Sequence, residues 1–422
     1  MKSFKIIGLL FLTAIAIILP LYGSGRGKQA DQPNGVIRID FAKALNKYSV
    51  ANLSDYFSTI EYIPLETNNN SLLGNIRKIF FEKSMFYVVD NNNVCKIFDR
   101  KGKYLKTIDR KGNGPEEYAQ ISDINVDPET GNILILERNN IKEFDISGKF
   151  IKKIESPEKT FTFFNFTILS NGLFAANISN FKPRGKEEGF LIYDSSLKIH
   201  NKITFPSPTV KPQPPTPDGA FSFVPVFSDI YRFSRCKSQV NISREFNDTV
   251  YLLNKNFSLS PLYVFDFGNF SFNKQNLSPF ELQNNSPVIT KSPDIHQNSD
   301  YLFLNFDLRG KAPFSYTEKA RDGSIRIVNT EVKAIYSKKN GVLTLLKESS
   351  NHLWGLKDDI SEGPPFWPLF VSSESDMISY FQAMDLIRLK EEQGGEFKGL
   401  SKITKDLSEG DNPVIVLVKL KK

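Results

Sequence analysis

Two stretches of the chain repeat one short pattern, and this repeat restricts the fold more than any other feature of the sequence. Residues 97–106 read IFDRKGKYLK and residues 143–152 read EFDISGKFIK, so equivalent positions lie 46 residues apart. In each copy an apolar run leads into Asp-x-x-Gly, and a second apolar run follows. The aspartate can accept hydrogen bonds from turn amides and the glycine can adopt a positive φ, which together predict a β-hairpin.

Two further strand-like runs precede each hairpin. They are 76–81 and 85–89 in the first copy, and 121–126 and 133–136 in the second. Each repeat therefore contains four short strands at the spacing of an antiparallel meander, which is typical of a β-propeller blade. The 36 phenylalanines and 15 tyrosines agree with this interpretation, because aromatic side chains suit pleated strands.

Weaker copies of the repeat follow and predict six blades in all. Four runs within 166–205 indicate a third blade, in which Leu197 replaces the turn glycine. The period then loosens, and strand-like runs within 224–267, 301–337 and 342–420 are assigned to the fourth, fifth and sixth blades. We therefore expect an all-β fold, a six-bladed β-propeller of four-stranded antiparallel blades that occupies 36–422 as a single domain.

Residues 377–393 have helical rather than alternating spacing. Ile378, Phe381, Leu386 and Leu389 would share one side of a helix. We therefore expect an amphipathic helix near the C-terminus, packed on the last blade.

The first 25 residues have the layout of a secretory signal. Lys2 and Lys5 make a basic start, an apolar run extends from 6 to 22, and small residues follow it. This order predicts a signal peptide at 1–25, with a polar linker at 26–35, and therefore export. An uncleaved membrane anchor is the alternative, since the apolar run is near the shortest length that spans a bilayer. The chain would then contact the membrane only through this segment.

The charge pattern and the cysteines exclude further classes. The net charge is +7, but the lysines and arginines are interspersed with acids, so we expect a solvated surface and no binding to nucleic acid. Neither Cys95 nor Cys236 follows the apolar run, and so no thiol is placed to carry a lipid. Cys95 is expected to be a small core residue. A disulfide between the two would need an oxidising compartment and would have to join separate repeats.

Seven short strings resemble a known family. They are IPLET at 63–67, VVD at 88–90, FD and GK at 98–103, GNGPEEY at 112–118, NDTVY at 247–251, FDFG at 265–268 and DNPV at 411–414. In this order they resemble the six-bladed β-propeller proteins that anaerobic Gram-negative bacteria export. The resemblance implies a location in the periplasm or cell envelope and no agreed set of catalytic residues. Many members have a cysteine for lipid attachment just after the signal; this chain has none, so lipidation is not expected.

The residues of common catalytic and metal sites are scattered or missing. His200, His296 and His352 lie far apart and share no ligand spacing. No nucleophile elbow, phosphate loop or calcium loop occurs in the sequence. We therefore expect no catalytic residues, no metal and no cofactor. The glycine-rich string at 112–118 is expected to form a tight turn between blades, with Tyr118 packed on the next blade.

Blade topology predicts a ligand site. The loop between the second and third strands of a blade shares a face with the connection to the next blade. Polar side chains from these segments of the first two repeats would meet around the mouth of the channel: Asp90, Asn91, Asn92, Arg110, Glu116, Glu117, Glu137, Arg138 and Asn139. Mixed polar groups around a channel suit a small molecule or a glycan. Trp354 and Trp367 could stack on a sugar or dock a protein if exposed, whereas burial would make them core residues.

The expected function is that of a non-catalytic ligand-binding or protein-interaction scaffold in the envelope. The partner is a small molecule, a glycan or a protein. One alternative is a propeller-type glycan hydrolase or lyase, for which Asp90, Glu116, Glu117 and Glu137 are the acids that could form a carboxylate cluster. The other alternative is a membrane-tethered sensor domain, which requires the N-terminal run to remain uncleaved.

Overall fold

A computed structural model describes residues 35–169, 172–182, 185–206, 231–236, 239–244, 246–272, 288–309, 316–319, 325–328, 331–349, 353–393 and 397–421. The predicted signal peptide, nearly all of the predicted linker, and His352 lie outside these residues. Val36–Lys422 forms one compact unit.

The N-terminal part of this unit precedes the first blade. It contains the strand β1 (Ile37–Asp40), the helix α1 (Phe41–Ala44), the strand β2 (Tyr48–Ser49), a 3-10 helix (Leu53–Asp55) and the strand β3 (Phe57–Pro64).

The first three blades follow in sequence, and each is a four-stranded antiparallel sheet. Blade 1 contains β4 (Ile76–Glu82), β5 (Met85–Asp90), β6 (Cys95–Asp99) and β7 (Tyr104–Ile108). Blade 2 contains β8 (Asp123–Val126), β9 (Ile133–Glu137), β10 (Asn140–Phe144) and β11 (Phe150–Ile154). Blade 3 contains β12 (Thr162–Ile168), β13 (Leu173–Lys182), β14 (Gly185–Asp194) and β15 (Ile199–Pro206).

The last three blades are less regular. Blade 4 contains β16 (Tyr231–Cys236), β17 (Gln239–Arg244), β18 (Thr249–Leu253) and β19 (Leu259–Asp266), and a 3-10 helix (Gly268–Phe270) follows it. Blade 5 contains β20 (Thr290–Lys291), β21 (His296–Gln297), β22 (Tyr301–Asp307), β25 (Glu331–Ser337) and β26 (Val342–Leu346). Between β22 and β25 the chain forms a separate two-stranded hairpin of β23 (Tyr316–Lys319) and β24 (Ile325–Val328). Blade 6 contains β27 (Phe370–Val371), β28 (Met377–Phe381), β29 (Val414–Leu420) and the N-terminal β3.

The innermost strands form a closed ring. Contacts run from β4 to β8, β12, β16, β21 and β27, and β27 returns to β4. The all-β fold and the six blades predicted from the sequence are therefore confirmed. An apolar cluster fills each of the six gaps between adjacent blades. Middle strands such as β5 are buried along nearly their whole length because both of their faces pack against a neighbouring blade.

The outer hairpins of the first three blades share one turn. The side chains of Asp99, Asp145 and Asp194 each accept the amides two and four residues further on. The fourth residue of each turn has a positive φ, which is 83° at Gly102 and Gly148 and 67° at Leu197. The hairpins predicted from Asp-x-x-Gly are therefore confirmed, and Leu197 adopts the glycine conformation in spite of its Cβ.

Tyr118 and Cys95 occupy the positions expected of them. The Tyr118 ring is fully buried, lies 6.1 Å from the ring of Phe144 in blade 2, and its hydroxyl donates to the carbonyl of Ile108 at 3.0 Å. Cys95 is fully buried in the same cluster between blades 1 and 2. Both Cys95 and Cys236 are free thiols.

The N-terminal segment runs past three blades and closes the ring. β1 pairs in parallel with β19 at the outer edge of blade 4, and β2 pairs in parallel with β26 at the outer edge of blade 5. β3 then pairs antiparallel with β29 as the outer strand of blade 6. Assignment of 342–420 to the sixth blade was therefore wrong in part: β26 belongs to blade 5, and the N-terminus supplies the outer strand of blade 6.

The C-terminal helix is shorter than predicted. Met377–Phe381 forms β28, which pairs with β29, and the helix α2 extends over Ala383–Gln393. The apolar spacing of 377–381 therefore serves a strand, because the partner strand β29 is available beside it. Leu386 of α2 packs with Val414 of β29 and with Leu400 of the short helix α3 (Leu400–Ile403), as expected for a helix on the last blade. No helix in the described ranges is long and apolar enough to cross a membrane.

Candidate functional site

The inner strands surround a central channel whose cavity has a volume of about 960 Å³. Alternate residues of a strand face opposite sides, so every second residue of an inner strand can reach the channel. Polar and charged side chains form much of the lining, and they include Arg77, Lys78, Glu82, Asp123, Asn125, Asn165, Arg232, Arg235, Asp294 and His296. The channel is therefore a polar cavity with the volume of a small-molecule site.

Several of these side chains join neighbouring blades. Lys78 of blade 1 forms an ion pair with Asp123 of blade 2, with 2.6 Å between Nζ and Oδ1. The second carboxylate oxygen of Asp123 accepts the amide of Phe166 in blade 3 at 3.0 Å. Asn125 donates to the carbonyl of Phe166 at 2.8 Å. These contacts hold the first three blades together at the channel wall.

Two further contacts join other blades at the wall. Arg232 of blade 4 pairs with Asp294, just before β21 of blade 5, at 3.1 Å. Glu82 of blade 1 accepts the amide of Ser373 in blade 6 at 3.0 Å and also accepts the hydroxyl of Ser373. Burial raises the pKa of Glu82, and the hydrogen bonds from Ser373 oppose that increase.

Arg235 differs from the other charged residues of the channel. It lies near the end of β16 and lines the cavity. Burial lowers the pKa of its guanidinium group, and the carboxylates of Glu82 and Asp127 act in the opposite direction without forming an ion pair. Within the part of the chain that the structure describes, the Arg235 side chain makes no hydrogen bond. Its donors are therefore not used by any of the described residues that line the cavity.

The histidines occupy unrelated positions. Nε2 of His200 lies 2.8 Å from the Asp194 carboxylate in the outer turn of blade 3, whereas His296 lines the channel. Burial lowers the pKa of His296 to about 4, so the ring is neutral at pH 7. Among the described residues, no three His, Cys, Asp or Glu side chains converge as metal ligands.

Six of the nine residues predicted to bind a ligand form side-chain hydrogen bonds to backbone groups of their own or a neighbouring segment: Asp90, Asn91, Arg110, Glu117, Glu137 and Asn139. The side chain of Asp90 is buried and accepts the amides of Gly74 and Asn92, both at 2.9 Å. The side chain of Asn91 accepts the amide of Asn75 at 3.1 Å, and Asn92 donates to the Asp90 carboxylate at 3.0 Å. These side chains therefore stabilise the β5–β6 loop.

The predicted residues of the second repeat are used in the same way. The Glu117 side chain accepts the amide of Gly114 at 2.9 Å. The Glu137 side chain accepts the amide of Ala119 at 2.6 Å and forms an ion pair of 2.9 Å with the buried Lys142. These contacts join the inter-blade connection to the β9–β10 loop. Glutamates with such partners are poor candidates for a catalytic pair, because catalysis needs carboxyl groups that reach a substrate.

The remaining predicted residues lie in two segments, the connection between blades 1 and 2 and the β9–β10 loop. Arg110 donates from Nε to the carbonyl of Gly148 at 3.0 Å, and so it lies against the outer turn of blade 2 rather than beside the channel. Asn139 donates to the carbonyl of Phe161 and accepts the amide of Phe163 at 3.1 Å. Glu116 and Arg138 are exposed. None of the nine lines the channel cavity, whereas Arg138 and Asn139 border a second groove between blades 2 and 3.

Lys333 contacts both tryptophans. Trp367 is only 6% exposed, and its ring packs against Phe303 with 5.7 Å between centroids. Nζ of Lys333 lies 5.5 Å from the centre of the Trp367 ring and donates to the carbonyl of Trp354 at 2.9 Å. Burial lowers the pKa of Lys333 to about 8. Trp367 is therefore a core residue, which was one of the two alternatives, and Trp354 is half-buried.

Sequence reasoning missed the channel-lining residues, although a signal for them exists. The first strands of blades 2 and 4 follow long connections and alternate polar with apolar residues, as in Asp123-Ile124-Asn125 and Arg232-Phe233-Ser234. Strands of this type are buried on one face and polar on the other. Such alternation in the first strand of a blade indicates a channel wall, and it would have selected Arg232 and Asp123 over the loop residues.

Comparison with solved structures gives similarities at low sequence identity. A protein from Bacteroides fragilis that is proposed to be exported superposes with a TM-score of 0.61 at 15% identity, over 92% of this chain and 100% of that chain. A member of the DUF4221 family from Bacteroides vulgatus superposes with a TM-score of 0.49 at 11% identity, over 87% of this chain and 98% of that chain. At such identities the first similarity supports the propeller fold alone.

Comparison of the sequence with protein families is more specific. No protein with a curated description matches the chain. Residues 36–419 match a family described as a domain of unknown function, DUF4934, and this match covers the whole propeller. The resemblance seen in the short sequence strings is thereby confirmed, and the chain belongs to the DUF4934 family.

Proposed function

We propose that this chain is an exported, non-catalytic binding protein whose central channel takes a small molecule with a carboxylate or phosphate group. One observation carries the proposal: Arg235 lines a cavity of about 960 Å³ and uses none of its donors on the described part of the chain. A guanidinium group presents its N–H donors in a fixed fork that matches carboxylate and phosphate oxygens.

The surroundings of Arg235 support an anionic ligand. A charge that is taken out of water without a partner is costly, and here burial already lowers the pKa of the guanidinium. Glu82 is near, but its carboxylate is hydrogen-bonded to Ser373 instead. An anionic group in the channel would restore the lost interactions of Arg235, while Glu82 would remain able to accept a hydroxyl of the same ligand.

A non-catalytic role agrees with the use of the nominated acids. Three of the four, Asp90, Glu117 and Glu137, accept backbone amides. Glycoside hydrolysis by acids needs two carboxyl groups that reach the scissile bond, whereas these three carboxylates are engaged by backbone amides.

Export is proposed from the N-terminal pattern together with the description of a structural relative. The basic, apolar and small residues of 1–25 follow the order of a signal peptide, and the Bacteroides fragilis protein with the same fold is proposed to be exported. We infer a location in the periplasm or cell envelope without lipid attachment. Sequencing of the N-terminus of the protein purified from its envelope fraction distinguishes cleavage near residue 25 from a retained anchor.

The channel proposal is tested by calorimetric titration of the chain from Val36 onward with glucuronate, malate and glucose 6-phosphate, and with glucose as the neutral control. We expect at least one anion to bind and Arg235→Gln to weaken that binding about tenfold, since a hydrogen bond to a charged group contributes about 1.5 kcal/mol or more. Arg388→Gln is the matched control, because Arg388 is an exposed arginine on α2 that pairs with Asp385.

Two results would contradict the proposal. One is equal binding of glucose and the anions, and the other is unchanged anion affinity in Arg235→Gln. Arg235→Lys should retain part of the affinity, because an ammonium keeps the charge but loses the forked geometry.

A further inference from the structure

Phe164 stands apart from the other aromatic residues of this protein. Its side chain is 47% exposed. Every other aromatic side chain that the structure describes is buried or half-buried. The exposed ring offers an apolar, aromatic face on which a ligand could stack.

A β-bulge produces this exposure. In the pairing of β12 with β13, Phe163 lies opposite Ile178 and Phe166 lies opposite Ala176. Three steps along β12 therefore match two steps along β13, and the extra residue falls at Phe164 and Asn165. Bulges redirect side chains and are frequent beside binding sites. The ring is thus turned outward in mid-strand, with paired residues on both sides of it.

The exposed ring borders a groove of about 850 Å³ that contains residues of blades 2 and 3. The cations of this groove are Arg138, Lys153 and Lys159, and its one acid is Glu155. Lys153 pairs with Glu155 at 2.9 Å. Arg138 and Lys159 form no ion pair within the described residues, so the groove has an excess of positive charge.

Neutral hydrogen-bonding groups complete the lining. The side-chain amides of Gln120 and Asn140 border the groove and have no hydrogen-bond partner among the described residues. Thr162 is exposed at the same place. Together the groove offers an aromatic face, two unpaired cations and several neutral donors and acceptors.

We propose that this groove binds an acidic oligosaccharide. The face of a pyranose ring carries C–H groups that pack on an aromatic ring, its hydroxyls suit side-chain amides, and the carboxylate of a uronate suits Arg138 and Lys159. An apolar peptide would leave the cations and amides unpaired. A neutral saccharide would leave the cations unpaired. This groove is distinct from the Arg235 site, although Phe164 and Ser122 line both cavities.

Calorimetric titration of the chain from Val36 onward with tetragalacturonate, and with cellotetraose as the neutral probe, tests this proposal. We expect tetragalacturonate to bind, with an affinity that falls as salt rises, and cellotetraose to bind at least tenfold more weakly. Phe164→Ala and Arg138→Gln should each weaken tetragalacturonate binding about tenfold, while Phe164→Tyr should retain it, because a tyrosine ring keeps the stacking face.

The controls are matched in exposure and chemistry. Leu105→Ala removes an apolar side chain that is 44% exposed on the outer strand of blade 1, and Arg388→Gln removes an exposed charge on α2; neither should change the affinity. The proposal is overturned if tetragalacturonate does not bind, if cellotetraose binds equally well, or if Phe164→Ala leaves the affinity unchanged. Tetragalacturonate binding that responds to Arg235→Gln but to neither groove variant also overturns it, and would place the saccharide in the channel instead.

Discussion

Gly102 and Gly148 occupy the same position of the same turn, but their surroundings differ. Both have a φ of 83°. A Cβ added at Gly102 would overlap the carbonyl oxygen of Pro64, because the end of β3 from blade 6 lies against this turn. A Cβ added at Gly148 would meet only the flexible end of Ile108, at 3.1 Å. The turn position is therefore restricted by its positive φ in both blades, and in blade 1 it is also restricted by the backbone of Pro64.

We expect Gly102→Ala to lower the free energy of unfolding by about 3 kcal/mol, and Gly148→Ala by about 1 kcal/mol. The left-handed conformation disfavours both alanines, and the overlap with Pro64 adds to the cost at Gly102 alone. Urea unfolding followed by tryptophan fluorescence measures the difference. Equal losses in the two variants would show that the contact with blade 6 does not constrain Gly102.

At the scale of the element, the inner strand of blade 5 is interrupted. Lys291 of β20 pairs with Phe306, and His296 of β21 pairs with Phe303. The six residues 291–296 therefore lie opposite the four residues 303–306 of β22. The extra residues form an irregular segment in which Asp294 pairs with Arg232 of blade 4. The fifth blade was expected to begin at residue 301, and this inner strand before it was missed because residues 292–295, which include Pro293, separate its two short pieces.

The half-buried His296 in this strand predicts a dependence of stability on pH. Burial lowers the pKa of His296 from 6.5 to about 4 in the folded protein, whereas the unfolded chain has the ordinary value. The contribution of His296 to stability is therefore complete above pH 6.5 and is lost as the pH falls towards 4. We expect the melting temperature of the native chain to fall more steeply over this interval than that of His296→Gln. Parallel curves would rule out a neutral half-buried histidine.

At the scale of the whole molecule, strands from the N-terminal and C-terminal parts of the propeller pair in one sheet. Within blade 6, β29 lies between β28 and β3. The same N-terminal segment places Phe41 between blades 4 and 5, where its ring lies 5.1 Å from Phe267 and 4.5 Å from Phe306. Residues 37–64 therefore join the last three blades as well as closing the ring.

Removal of this segment should prevent formation of a stable monomer. A chain that begins at Asn68 lacks β1–β3, so the apolar strand β29 becomes an unpaired edge that can associate with other molecules. A chain that begins at Val36 keeps all three strands and is the control. Size-exclusion chromatography and circular dichroism compare the two, and we expect aggregation or the loss of a cooperative melt in the shorter chain alone. A monomeric shorter chain with an unchanged melting temperature would contradict a closing role for β3.

The features that the sequence predicted correctly are local ones. The turn at Asp145 and Gly148 depends on amides within four residues and on the positive φ that glycine permits. A stretch of ten residues is therefore enough to predict it. The repeat of that window then indicates blades, because a four-stranded meander buries its faces only against copies of itself. Tyr118 was predicted for the same reason, since an aromatic residue at the end of a tight inter-blade turn packs on the next blade.

Contacts between distant residues were decided only by the tertiary structure. The pairing of β3 with β29 joins strands about 350 residues apart, and no local pattern in either strand specifies the partner. Asp90 and Glu137, which were predicted to face a ligand, accept nearby backbone amides, and a sequence pattern does not reveal such contacts. Arg235 and Phe164 emerged instead, because ring closure places one in a shared cavity and a bulge exposes the other. The sequence by itself determined the blade, since turn chemistry acts within a few residues, while closure of the ring decided which side chains face a ligand.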